Sequence, residues 1–252
     1  MRLDVVDLRT FYASPLGVVT RRFLNDVVRA RRSNCGGMAV MDFGYATPYL
    51  QQFRSEAVRV IAFMPAEQGV VNWPTSGPSA SALVETTALP LPDSCMDRVL
   101  VVHALETSEQ GRELLAEIWR ILTPGGRMIL IAPNRGGLWS RVDTTPFGHG
   151  QPFSRGQLRE LMRETLFSPI HWGEALYAAP FQRRFLLRLA PILEKIGARL
   201  SLPGAGVLVV EATKQLYRPV GLRRAARRPL PLPAEPALAP SGASVMPREG
   251  GS

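Results

Sequence analysis

The stretch that decides the fold is residues 97–134, which read DRVLVVHALETSEQGRELLAEIWRILTPGGRMILIAPN. It begins with a continuous apolar run over 97–106, as expected of a strand buried on both faces of a parallel sheet. Residues 111–122 then carry apolar side chains at helical spacing, and TPGG ends this helix before a second apolar strand over 126–134. The order strand, helix, strand predicts a parallel βαβ unit.

The same alternation extends over most of the chain and predicts an α/β fold, with a sheet covered by helices on both faces. One predicted helix starts at Thr47 and Pro48, where threonine would cap the helix and proline would occupy its first turn. Another starts with Ser154 as its cap. Further strands are predicted over 36–43, 58–65, 169–179 and 204–215 with a short one within 81–93, and further helices over 14–32, 154–167 and 181–200.

Composition separates the chain into a domain and a tail. Residues 1–217, with an N-terminal helical segment over 1–35, have the apolar periodicity of one domain. Residues 218–252 are rich in proline, alanine and arginine without periodicity, and we expect a disordered basic tail there. The formal net charge is +9, but the arginine clusters are not interleaved with aromatic residues. A solvated surface is therefore favoured over a nucleic-acid interface, which stays possible.

Several classes of protein are disfavoured by the composition. The two cysteines, Cys35 and Cys95, match no metal or redox spacing, so no metal site is predicted. No apolar stretch reaches about 18 residues, and the N-terminus lacks the apolar core of a signal peptide. We expect a cytoplasmic protein without a membrane span.

The turn after the first predicted strand is a candidate ligand site. Residues 38–50 read MAVMDFGYATPYL, in which Gly44 permits a sharp turn and a close backbone approach. The helix start that follows offers free N–H groups to an anion. With one glycine where nucleotide loops usually carry more, the pattern fits a cofactor loop and an ordinary strand-to-helix turn equally well.

The middle of the chain resembles the class I S-adenosylmethionine-dependent methyltransferases, in particular the methyltransferase type 11 group. The resemblance implies a Rossmann-like three-layer αβα sandwich around a seven-stranded, mostly parallel sheet. It also implies that the last strand, GVLVVEATK over 206–214, is antiparallel. The residues that carry the resemblance are Leu89, Pro90, Pro92, Asp93, Asp97, Leu122, Pro124, Gly125, Gly126 and Arg127.

The resemblance also implies S-adenosylmethionine as cofactor and assigns its pocket. In the family, an acidic residue that ends the second strand holds the ribose; here Phe63 and Met64 stand there, and Glu67 is the nearest carboxylate. Glu85 aligns with the acid that receives the adenine amino group, and Tyr12 falls in a segment that covers the cofactor in related enzymes. The cofactor-binding residues implied are Asp42, Gly44, Tyr45, Ala46, Phe63, Met64, Glu85, Thr86 and His103.

Three residues are candidates for catalysis. His103 ends the fourth strand, and Asp143 and His149 lie in the irregular stretch 135–153. A carboxylate and an imidazole can deprotonate the hydroxyl or amine of a methyl acceptor. Each of the three also fits a packed or hydrogen-bonded structural role.

Three functions remain open at this point. The first is methyl transfer to a small-molecule or macromolecular acceptor, which the sequence does not identify. The second is a catalytically inactive relative that serves as a binding or regulatory protein, suggested by the missing ribose acid. The third, a nicotinamide-dependent oxidoreductase, is disfavoured because no G-x-G-x-x-G pattern is present. The oligomeric state is not predicted.

Overall fold

Seven strands form one sheet in the computed structural model, which describes residues 3–31, 34–181, 183–200 and 202–216. The order in the sheet is β3-β2-β1-β4-β5-β7-β6. The pairs among the first five strands are parallel, and β7 runs antiparallel to both β5 and β6. The strands are β1 Ala39–Gly44, β2 Arg59–Pro65, β3 Ser81–Val84, β4 Met96–Val102, β5 Leu122–Pro133, β6 Phe167–Ala175 and β7 Val207–Lys214.

This topology confirms the predicted seven-stranded, mostly parallel sheet with an antiparallel last strand. β7 lies between β5 and β6, because the chain returns from β6 through a helix and then inserts β7 beside β5. The predicted βαβ unit is present, with β4 and β5 paired in parallel from Arg98 opposite Arg127 to Val102 opposite Ile131.

Helices cover both faces of the sheet and give two apolar cores. One core joins α1, α2, α3 and α6 to one face, and the other joins α4 and α5 to the opposite face. The pattern in α4 explains this placement, since Leu114, Leu115, Ile118 and Ile121 are all buried. The helices are α1 Val5–Ala13, α2 Pro15–Arg31, α3 Thr47–Leu50, α4 Gly111–Ile121, α5 Arg155–Glu164 and α6 Arg184–Leu200.

Some predicted boundaries are wrong at the ends of elements. The predicted N-terminal helical segment over 1–35 contains two helices, α1 and α2, and Asp4 caps α1 by accepting the N–H groups of Val6 and Asp7. Thr47 is not a cap, because α3 starts there and Ala46 occupies the capping position without a side-chain bond. The predicted strand over 97–106 ends at Val102.

The predicted cap of α5 is confirmed, and the predicted tail lies beyond the residues that the structure describes. Ser154 caps α5 in a reciprocal capping box with Gln157. The chain divides into two units, Met1–Arg218 and Pro219–Ser252, and the predicted tail over 218–252 lies outside the described residues. Among the described residues, every helix is too short or too polar to cross a membrane.

Candidate functional site

Two neighbouring cavities lie at the carboxyl edge of the parallel strands. Ligands of open α/β sheets bind at this edge, just beyond the strand ends. The larger cavity has a volume of about 500 Å³ and lies between the α1–α2 junction and residues 143–149. The smaller has a volume of about 210 Å³ and lies beyond the ends of β2, β3 and β4. Leu3 lines both cavities, so they adjoin at that side chain.

The smaller cavity has a mostly polar lining. Glu67 and Gln68 follow β2, and Thr86 follows β3. Carboxylate, amide and hydroxyl groups at these positions can accept and donate hydrogen bonds to a sugar and a base. The remaining lining residues are Pro65, Ala104, Thr107, Ser108, Glu109 and Gln110.

The turn after β1 is closed by the protein itself. Gly44 has a φ of +99°, and a Cβ atom there would overlap the carbonyl oxygen of Val102 and lie 2.9 Å from the Cβ of Ala104. The same Val102 oxygen accepts the N–H of Tyr45 at 2.8 Å. The glycine is therefore required by the close approach of β4, whether or not a ligand binds.

Asp42 also has a structural partner. Its two carboxylate oxygens lie 3.1 and 3.0 Å from the backbone N–H of Ala46 and accept its hydrogen bond. The residue is fully buried, and burial raises the pKa of the Asp42 carboxyl well above its usual value, against the opposing effect of the Ala46 hydrogen bond.

The raised pKa of Asp42 gives the first prediction. The folded protein holds the Asp42 proton more tightly than the unfolded chain does. The stability that this proton contributes is therefore fully present below about pH 4, and it is lost as the pH rises toward the pKa of Asp42 in the folded protein. Asp42→Asn cannot ionise, so its free energy of unfolding should rise relative to wild type by up to about 1.4 kcal/mol per pH unit in that window. Urea unfolding of both proteins from pH 4 to 8 measures the difference. Parallel pH profiles would contradict a raised pKa.

A buried hydrogen-bond chain lies under α1. Tyr49 donates its hydroxyl proton to the Tyr12 hydroxyl at 2.9 Å, and Tyr12 and His103 Nε2 are 2.8 Å apart. The other ring nitrogen, Nδ1, lies 3.2 Å from the carboxylate of Glu106. Because Tyr12 receives one proton and passes on its own, His103 Nε2 is the acceptor and Nδ1–H donates to Glu106. Burial, above all, raises the pKa of Tyr12 and Tyr49, so both phenols keep their protons at neutral pH.

Aromatic rings enclose this chain of hydrogen bonds. The Tyr12 ring stacks on Tyr45 with centroids 5.7 Å apart, and the Phe147 ring lies 4.8 Å from His103. Gln68 ties the chain to the smaller cavity, since its amide donates to the carbonyl oxygen of His103 at 2.8 Å. His103 is 2% exposed and faces its partners in the core rather than either cavity.

The structure brings Asp143 and His149 together at the larger cavity. The Nε2 atom of His149 lies 2.6 Å from the backbone carbonyl oxygen of Asp143. A carbonyl oxygen only accepts, so Nε2 carries the proton and Nδ1 is the ring atom that can take one up. Asp143 thus contacts the imidazole through its main chain and not through its carboxylate.

Of the predicted cofactor residues, the structure brings Thr86 to the smaller cavity. Phe63 and Met64 are buried in the two cores, and Glu85 is exposed and does not line the cavity. The residues at the β1 turn and the end of β4 are buried against each other. They are Asp42, Gly44, Tyr45, Ala46 and His103.

Two residues that line the smaller cavity were not among the predicted cofactor-binding residues. Gln68 was not identified, and Glu67 was noted only as the nearest carboxylate. The end of β2 at Pro65 could have identified both residues, because Glu67 and Gln68 carry the first polar side chains beyond that strand end.

Comparison with known proteins finds similarity to methyltransferases. Residues 43–130 match a family model described as a methyltransferase domain. Over 66 residues the chain is 38% identical to a demethylmenaquinone methyltransferase of Deinococcus radiodurans, covering 25% of this chain and 27% of that protein. Over 54 residues it is 41% identical to a ubiquinone/menaquinone biosynthesis C-methyltransferase of Acidiphilium cryptum, covering 21% of this chain and 22% of that protein. The match therefore spans about a quarter of the length of these relatives.

The fold is shared with solved structures. One is an S-adenosylmethionine-dependent methyltransferase from Mesorhizobium loti, with a TM-score of 0.56, 15% identity, and coverage of 75% of this chain and 96% of that one. The antiparallel β7 between β5 and β6 agrees with that likeness. Residues 43–130 therefore match a methyltransferase domain, and the chain shares its fold with S-adenosylmethionine-dependent methyltransferases of known structure.

Proposed function

We propose that this protein transfers a methyl group from S-adenosylmethionine to a small acceptor bound in the larger cavity. The observation that carries the proposal is the pair of adjoining cavities at the carboxyl edge, one polar beyond β2 to β4 and one beside it under the α1–α2 junction. A volume of about 500 Å³ lies within the usual range for small-molecule sites.

The smaller cavity suits the nucleoside part of the cofactor. Glu67 follows β2, where its carboxylate can accept hydrogen bonds from ribose hydroxyls. Thr86 follows β3 and can bond the base. The turn at Gly44 is filled by the protein's own Tyr45 and Val102, so we assign recognition to the ends of β2 and β3 instead.

Methyl transfer requires little of the side chains. The sulfonium of S-adenosylmethionine is an activated methyl donor, so holding the acceptor in line accounts for much of the rate. His149 lines the acceptor cavity with Nδ1 able to take up a proton, and the Asp143 carbonyl fixes that tautomer. The lining also includes Leu3, Phe11 and Leu16, which favours an acceptor with an apolar body.

The proposal of a small acceptor is based on the volume and the lining of the larger cavity. The matched relatives are named for quinone methylation, but each match spans only about a quarter of their length. From those relatives we carry over the transfer of a methyl group and leave the acceptor to be identified by screening.

Calorimetry with S-adenosylhomocysteine tests the cofactor assignment. Glu67→Gln removes the charge with little change of shape, and we expect binding about tenfold weaker, as for the loss of one charge-assisted hydrogen bond. Glu85→Gln is the matched control at an exposed glutamate outside the cavity, and its affinity should equal that of wild type.

Three other binding results would change the assignment. Weaker binding in Glu85→Gln with Glu67→Gln unchanged would overturn the Glu67 assignment. Wild-type protein that binds NAD and not S-adenosylhomocysteine would indicate an oxidoreductase. Binding of neither would favour an inactive relative.

A further inference from the structure

Helix α6 presents an apolar stripe to the outside of the protein. Five leucine and isoleucine side chains on this helix are between 45 and 65% exposed. They recur at spacings of three and four residues, so they lie along one side of the helix. These stripe residues are Leu189, Ile192, Leu193, Ile196 and Leu200.

The opposite side of α6 is fixed to the protein, which sets the direction of the stripe. Ala190 is buried, and the ring of Tyr177 packs so closely on Gly197 that a Cβ there would overlap it. Glu194 turns inward and accepts the backbone N–H groups of Leu176 and Tyr177, each at 2.7 Å. The helix therefore cannot roll to bury the stripe without breaking these bonds.

Basic side chains border the stripe. Arg188, Lys195 and Arg199 are exposed and follow one another at helical spacing beside Ile192. The acid within the helix, Glu194, turns inward on the other side of the helix toward the N–H groups of Leu176 and Tyr177, so it does not lie in this basic row. An exposed apolar stripe bordered by arginine and lysine is the pattern of a helix that lies in a membrane interface.

We propose that α6 docks this protein on an anionic lipid surface. The apolar stripe would enter the boundary between headgroups and acyl chains, and the basic row would meet anionic headgroups. Charge complementarity selects this occupant. A second copy would bring like charges together along the same helix, and the chain's own segment 217–252 holds six arginines against two glutamates.

The position of α6 agrees with this role. Leu16 of α2 lines the larger cavity and also the narrow cleft between α2 and α6. The stripe thus belongs to the same face of the sheet as the α1–α2 junction, and docking does not cover the opposite face formed by α4 and α5.

Vesicle sedimentation tests the proposal with phosphatidylcholine vesicles, with and without phosphatidylglycerol. We expect wild-type protein to bind the anionic vesicles and to be released by salt. The triple variant Ile192→Ser, Ile196→Ser, Leu200→Ser should bind at least about tenfold more weakly. Its matched control carries serine at Val58, Leu138 and Ile170, which are exposed outside α6, and should bind as wild type does.

Charge variants form the second arm. Lys195→Gln with Arg199→Gln should weaken binding by about tenfold. Arg112→Gln with Arg163→Gln removes the same charge from α4 and α5 and should have little effect. Circular dichroism checks that each variant is folded. Failure to bind anionic vesicles, or equal weakening by the test and control variants, overturns the proposal. So does a wild-type dimer in sedimentation velocity that the triple serine variant converts to a monomer.

Discussion

Gly44→Ala is expected to lower the free energy of unfolding by about 4 kcal/mol, the largest effect of any single substitution considered. Two costs combine at this position. The backbone has a φ of +99°, which side chains other than glycine rarely adopt. The new Cβ would also overlap the carbonyl oxygen of Val102, which already accepts the N–H of Tyr45. Chemical unfolding at neutral pH measures the loss.

Gly125→Ala separates these two costs. Gly125 also has a positive φ, +76°, but a Cβ there meets nothing within 4 Å. It should therefore lose only the backbone part, about 1 kcal/mol. Equal losses in the two variants would show that β4 does not press on the Gly44 turn. The comparison matters for binding studies, because weaker cofactor binding in a Gly44 variant would report a damaged fold.

Tyr12→Phe is expected to cost about 3 kcal/mol of stability, because one hydroxyl serves two buried partners. Its removal leaves His103 Nε2 without a donor and the Tyr49 hydroxyl without an acceptor. Tyr49→Phe is the control. It removes only the first donor of the chain, so its cost should be about 1 kcal/mol.

Urea unfolding of the two phenylalanine variants and the double variant measures this difference. The two single losses should not add in the double variant, because both substitutions break the Tyr49–Tyr12 bond. Tyr12 and Tyr49 variants of equal stability would contradict the direction of the chain from Tyr49 to His103.

The fold could be predicted because periodicity and connection order depend on local sequence. The apolar runs at 97–106 and 126–134 identify buried parallel strands, and the intervening helix buries its periodic face. Strand ends are less accessible to such reasoning. The residues TPGG follow α4 as predicted, but they also form part of β5. The strand pairs with β4 from Leu122 opposite Met96, and its register shifts before Arg127 pairs with Arg98.

The placement of the candidate site residues could not be predicted from local sequence, because it depends on which side chains beyond the strand ends reach a cavity. Phe63 and Met64 stand near the end of β2, which was predicted over 58–65 and spans Arg59–Pro65, but both side chains are buried in the core. The structure brings Glu67 to the cavity instead. The roles of His103 and Gly44 depend on packing against α1 and β4, which no local pattern contains.

The helix α6 connects β6 and β7, which pair directly with each other as antiparallel strands. Ala175 of β6 pairs with Val207 of β7, so the intervening segment leaves and re-enters the sheet at adjacent points. A segment closed in this way can change length at a small entropic cost and without altering strand register. The segment between these two strands can therefore vary in length and in its exposed side chains while the register of the sheet stays the same.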